Sequence, residues 1–432
     1  MGIIIIQIVP KQPSNELLSN YVYKNYRVEN VYLPSQAIEK FYREKENKKT
    51  KLMLLFPCSL IEDGSTNALA EKLGGSVFTI PSIGIYNNRE YKGNYDQIVA
   101  SIFSLIVKEF LQMKKSGEDL EEIIAEISRG HNIFVAALSD ALRNFLVFKD
   151  LYSLDESKDR KITAKVSFSK PVLPPNPTRD AYIEIFEAYF QWKSFFSLPI
   201  EKVSKNEIIN SLPSKLPGID IRQFRKLIFS SIFVFSSIKN GIPLPLFYVE
   251  LPTEDEVRNM IENMIDNFYR KVEENKFDAF DNFNYRLFIR TIQTLSLLIG
   301  MTRLIRKHVN LENLKEGNYV PFSELRNFEK VLEDIGETIA SRFLSSELRK
   351  LELDEKYLEK EISQNGMEEN ILARRLGDPT RNFFAHAGFE KTMIDVEKVG
   401  VRYKDEVVKE LTDCLYSERG RIFLWLTEDY LS

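Results

Sequence analysis

Two residues late in the chain have the types and spacing to do chemistry on a phosphate. In GDPTRNFFAHAGFE (377–390), Arg381 stands five positions before His386, one of only three histidines among 432 residues. Arginine carries a permanent charge on a planar fork that matches phosphate oxygens, and histidine exchanges a proton near neutral pH. Together they suit cleavage of RNA by its own ribose 2′-hydroxyl. A proton must leave that hydroxyl or reach the departing oxygen, and the crowded phosphorane needs positive charge. That chemistry requires no metal. The histidines are dispersed and lack a carboxylate–histidine grouping, so no metal-ligand set is expected.

The neighbours of the pair set its position. Asp378 and Pro379 are favoured at a helix N-cap and first helical position. A helix is therefore expected to open here, with Arg381 in its first turn and His386 about one and a half turns further in. Free backbone N–H groups and the helix dipole favour an anion at such a start. Asn382 follows the arginine, and the small Ala385, Ala387 and Gly388 leave room for a substrate or a second helix. Spacing alone is not diagnostic. Arg303 and His308 in RLIRKH have the same separation, but they close an amphipathic helix whose dipole stabilises cations, and they are read as structural.

A second constellation is SRGHN (128–132), at an expected strand end before a helix. Ser128, Arg129, Gly130, His131 and Asn132 form a candidate anion or nucleotide cradle, with the glycine allowing close backbone approach.

The elements that would carry these residues fall into two kinds. From the start, β-branched or apolar runs such as IIIIQIV (3–9) and KLMLLFP (51–57) alternate with helical segments such as YDQIVASIFSLIVKEFLQMKK (95–115). Helices are expected over 15–26 and 35–49, the latter capped by Ser35, and strands over 29–34, 120–128 and 161–170. This alternation argues for a doubly wound α/β domain with a mostly parallel, Rossmann-like sheet over 1–175. The proline-rich PVLPPNPTRD (171–180) is a break. Beyond it the pattern is helical, beginning with AYIEIFEAYFQWKSFF: a helical linker or insert over 176–250 and an all-α domain over 251–432.

Composition narrows the function. A net charge of −4 excludes a generally basic nucleic-acid binder, so an anion must be held by local pockets. Two distant cysteines fit a reducing interior, the N-terminus lacks a signal-peptide pattern, and no uninterrupted apolar run spans a bilayer. A cytoplasmic protein with no membrane partner is expected.

RNFFAHAG resembles the R-x4–6-H signature of HEPN ribonucleases, including the asparagine after the arginine. EISRGHN resembles the D-x-[ST]-[HR]-G-x-N element of the CRISPR-associated Rossmann-fold (CARF) sensor domain, with Glu126 in place of the aspartate. A CARF domain followed by a HEPN domain is the layout of the accessory ribonucleases of type III CRISPR systems, which bind cyclic oligoadenylate and then degrade single-stranded RNA. The resemblance implies a homodimer with a composite nuclease site in which Arg381 and His386 are catalytic and Asn382 supports the site. It implies cyclic oligoadenylate as an allosteric activator, here the tetra-adenylate ring in preference to the six-membered one, and no required cofactor.

Loops after the first and third strands should open on the same edge as SRGHN, making Gln12, Ser14, Asn15 and Ser59 candidates for adenine or ribose contacts. Two other readings stand beside this one. A ligand-responsive regulator could bind nucleic acid without cutting it, with 220–238 in a DNA-reading module. A nuclease of this kind could also degrade its own activator, with Arg129 stabilising charge.

Overall fold

A computed structural model describes residues 2–9, 18–61, 66–156, 162–169, 180–187, 197–200, 203–204, 207–274, 278–280, 282–361, 379–412, 414–417 and 421–427. Along the chain the first strands are β1 (Gly2–Ile8), β2 (Ser19–Tyr23), β3 (Tyr26–Val31), β4 (Lys49–Pro57) and β5 (Ser76–Ile80). A hairpin of β6 (Ile83–Tyr86) and β7 (Arg89–Lys92) follows, then β8 (Leu120–Glu126), β9 (Thr163–Ser169) and β10 (Ala181–Glu187). All but the β6–β7 hairpin join one eight-stranded sheet, in the order β3-β2-β10-β9-β8-β1-β4-β5. The run β5-β4-β1-β8-β9, from one edge inward, is parallel throughout.

GIIIIQI makes the central strand because a β-branched run is stiff, extended, and apolar on both faces. Ile4, Ile6 and Ile8 enter the core beneath α3 (Tyr95–Lys115) and α4 (Asn132–Tyr152), whereas Ile3 and Ile5 enter the one beneath α1 (Pro34–Glu44). A short α2 (Thr66–Leu73) covers β5 and ends at Gly74 in the left-handed region.

Several local expectations are corrected. The helix expected over 15–26 is replaced, over its described part, by the β2–β3 hairpin. Lys24 and Asn25 both take positive φ, as a tight two-residue turn demands. Burying Tyr21 and Tyr23 on one face overrides their helical neighbours. Ser35 is not a cap: α1 starts at Pro34, and Gln36 Oε1 accepts from the backbone of Tyr32 and Leu33, each at 2.9 Å. The helix expected from Ala181 begins instead as β10, antiparallel to β9 and parallel to β2, so the sheet continues past the proline-rich break.

The second half is helical. Its longer members are α5 (Ile221–Lys239), α6 (Glu254–Glu274), α7 (Tyr285–His308), α8 (Phe322–Asp334) and α9 (Thr338–Glu361). Gly336, at φ +86°, separates α8 from α9. Then come α10 (Pro379–Ala385), a hairpin of β11 (Ile394–Glu397) and β12 (Gly400–Tyr403), α11 (Asp405–Thr412), α12 (Cys414–Ser417) and α13 (Arg421–Thr427). The hairpin interrupts the purely helical run expected there and buries Val401 and Tyr403.

Central α7 packs against α3, α4, α5, α6 and α8. It is long and apolar enough to cross a bilayer, yet 89% of that apolar window is buried inside the protein. A helix apolar on all sides belongs in a core of this kind. One continuous apolar core runs from the α3–α4 face of the sheet into these helices.

Candidate functional site

Starting from β1, the parallel strands run outward through β4 to β5, then resume on the other side at β8 and β9. Strand order thus reverses between β1 and β8, and in open α/β sheets the crevice outside the strand ends at such a point takes ligands. SRGHN occupies that crevice. The Ser128 hydroxyl donates to Glu126 Oε1 and accepts from the Ser169 backbone N–H at 2.6 Å, locking the loop between β8 and β9. Arg129 donates to the Tyr32 carbonyl at 3.3 Å, and its guanidinium lies 5.9 Å from the Tyr21 ring centroid. Gly130 takes φ +128°, and its nearest neighbours would accept a Cβ, so conformation rather than space selects glycine. His131 is the N-cap of α4 but makes no side-chain cap hydrogen bond, and Asn132 is the first helical residue. Both are exposed. The crevice therefore faces a positive helix end with an arginine beside it.

Of the other sensor candidates, Gln12, Ser14 and Asn15 lie outside the described residues. Ser59 follows β4, and its backbone N–H donates to the Ser82 hydroxyl at 3.0 Å, while that hydroxyl donates to Ser59 Oγ at 3.0 Å. Its side chain ties two strand ends together.

The sequence did not reveal what lies beneath the loop. Gln7, Glu126 and Ser167 occupy matched positions on adjacent β1, β8 and β9. All three are fully buried, and Tyr21 lies close enough to Glu126 to feel its charge. Among the described residues, Gln7 Nε2, Tyr21 Oη, Glu126 Oε2 and Ser167 Oγ have no hydrogen-bond partner. Burial pushes the Glu126 carboxyl up to about 7, against the opposing pull of Ser128 and Arg129. A period-2 pattern identifies Gln7 and Glu126 as interruptions of apolar strands, but not that they meet.

From Asn132, α4 runs 21 residues to Tyr152 in the helical half. There Arg303 of α7 donates to the Tyr152 hydroxyl at 3.1 Å and to Glu254 Oε2 at 2.7 Å. His308 Nε2 lies 2.9 Å from Asp334. The second arginine–histidine pair is thus consumed by packing contacts, as its position at a helix end suggested.

Arg381 and His386 lie on either side of the end of a different, short helix. Asp378 lies outside the described residues; Pro379 opens α10. Phe383 is buried, its ring 5.2 Å from that of Trp425, which pins one face of the short helix. Arg381 and His386 are exposed, and Asn382 is half-buried between them in sequence. His386 is not inside the helix. The helix ends at Ala385, Ala387 and Gly388 take positive φ, and the Gly388 N–H bonds back to the Phe383 carbonyl at 2.9 Å. A Cβ on Gly388 would lie 2.5 Å from Ile242, so both conformation and contact require glycine here. The turn presents the imidazole to α9, where Glu347 Oε2 lies 3.1 Å from His386 Nδ1. Glu347 is 39 positions away, and no local pattern pointed to it.

The 220–238 segment weighed as a DNA-reading helix is α5, buried from Phe224 through Ile238 apart from Arg225, with Phe229 and Phe233 against Phe423. It is a core helix. Among the described residues, no three His, Cys, Asp or Glu side chains group as metal ligands.

Residues 4–171 match the family model of the CARF domain of the CRISPR system endoribonuclease Csx1. That span takes in most of β1 through β9 and the whole SRGHN loop, so this N-terminal α/β region is similar to a CRISPR-associated CARF domain. The helical half lies outside the match. No curated protein matches the chain.

Proposed function

We propose that the protein is a cyclic-oligoadenylate-activated endoribonuclease of type III CRISPR defence, acting in the cytoplasm as a homodimer with a HEPN-type nuclease site. The observation that carries this reading is the pairing of a CARF-like region, whose SRGHN loop lies at the strand-order reversal, with an exposed Arg381–His386 pair in the helical half. Cyclic tetra-adenylate would lie across a two-fold axis between two sensor crevices, meeting Arg129 and the α4 N-terminus of each subunit equivalently. Its higher affinity for the active arrangement would favour that arrangement.

At the nuclease site, Arg381 side chains hold the phosphate of single-stranded RNA. His386 takes the 2′-hydroxyl proton and passes it to solvent as that oxygen attacks phosphorus. The P–O5′ bond breaks and solvent protonates O5′, leaving a 2′,3′-cyclic phosphate and a 5′-hydroxyl. The atoms balance without a metal ion or cofactor. The test is incubation of end-labelled RNA with protein, cyclic tetra-adenylate and EDTA, followed by identification of the new ends. Cyclic phosphate ends support the reading; 3′-hydroxyl ends, or cleavage abolished by EDTA, contradict it.

A further inference from the structure

We propose that Glu347 is a positioning residue for His386, holding the imidazole in one orientation and one tautomer for RNA cleavage; the role rests on the nuclease reading above. Glutamate is seldom buried without a partner, yet Glu347 is 6% exposed. One carboxylate oxygen meets Lys350, three positions on along α9, and the other lies 3.1 Å from His386 Nδ1. Lys350 is itself exposed, and an exposed i,i+3 pair contributes little. The histidine contact is the one that crosses between elements.

The turn after α10 makes that contact possible. Phe383 anchors the helix, Gly388 folds the chain back, and the Phe389 N–H donates to the His386 carbonyl at 2.8 Å, fixing the backbone on both sides of the ring. The His386 side chain keeps 48% of its exposure. One nitrogen is thus tied to a buried carboxylate while the ring as a whole remains reachable. A carboxylate accepts from Nδ1–H and cannot donate to it, so the neutral ring must carry its proton on Nδ1 and leave the Nε2 lone pair for the 2′-hydroxyl. An unrestrained imidazole divides between two tautomers and several orientations, and only part of that population can react.

The experiment combines steady-state cleavage with 15N NMR of the histidine rings. Only three histidines need assignment. Glu347→Gln preserves the side chain's shape but can donate as well as accept, so it no longer fixes the tautomer. The expected result is a kcat lower by about 10- to 100-fold, with KM within about twofold. His386 should pass from a single Nδ1–H tautomer to a mixture. Glu347→Asp should recover part of kcat, and Lys350→Met should behave as wild type. If wild type cleaves and His386→Ala does not, but Glu347→Gln keeps the wild-type rate, the positioning role is wrong and the nuclease reading stands. A slower Glu347→Gln with an unchanged tautomer also overturns it, since the carboxylate then acts only through packing. If wild type fails to cleave, or His386→Ala cleaves equally well, the nuclease reading itself falls and takes this proposal with it.

Discussion

Gly300 of α7 faces the Leu151 carbonyl of α4 so closely that a Cβ on it would lie 2.1 Å from that oxygen. The helix that begins at the SRGHN loop is thus packed backbone to backbone against the central helix of the other half. Gly300→Ala must push the two helices apart, because a backbone carbonyl cannot swing aside as a flexible side chain can. A loss of roughly 1–3 kcal/mol is expected, read as a lower urea midpoint. An unchanged midpoint would mean that the two halves do not meet this tightly.

Arg303 and Glu254 guard the same junction. Burial alone would raise the Glu254 carboxyl, but Arg303 and Arg258 more than offset it and hold the group below its ordinary value of 4.5. A lowered acid contributes stability above its unfolded value and loses it as pH falls through the folded one. Glu254→Gln should therefore cost about 1–2 kcal/mol near neutrality, and the difference from wild type should close as pH drops below 4.5. Thermal melts across pH decide this. A constant difference at every pH would assign the loss to packing rather than to charge.

Glu126 should show the opposite sign. Its folded-state value of about 7 exceeds the ordinary 4.5, so the folded protein binds the extra proton between them. Stability is then complete below the lower value and falls as pH rises through the upper one, by about 3 kcal/mol at most. Glu126→Gln keeps the shape and removes the titration, so its advantage over wild type should grow with pH in that window. A pH-independent difference in unfolding midpoint would refute this account of the buried carboxyl.

Arg129 is the charged group of the crevice. Arg129→Ala should weaken cyclic tetra-adenylate binding by about 10- to 100-fold, measured by calorimetry, and should also lower the unfolding midpoint, because the side chain bonds to the Tyr32 carbonyl and lies by the Tyr21 ring. Equal affinity would place the ligand elsewhere.

Much of the fold was legible because the strands buried on both faces and the long helices carry unmistakable periods. β1, β4, β8, α3 and the helix after SRGHN lie where the apolar pattern put them. Weak local signals failed where tertiary packing decided. SNYVY pairs as a strand because Tyr21 and Tyr23 find a core, and AYIEIFE joins the sheet because β9 and β2 flank it. The same division holds at the candidate sites. Arg381, His386 and the SRGHN loop were visible as short motifs. Glu347 and the buried Gln7–Glu126–Ser167 row were not, because each arises from residues brought together only by the fold.

The most direct test is the initial rate of RNA cleavage with and without cyclic tetra-adenylate, for wild type, Arg381→Ala and His386→Ala. Wild type should be switched on by the ring. Each variant should then be slower by about 10²- to 10⁴-fold at saturating ligand. RNA left intact by the ring-bound wild type, or cut equally fast by His386→Ala, would contradict the account.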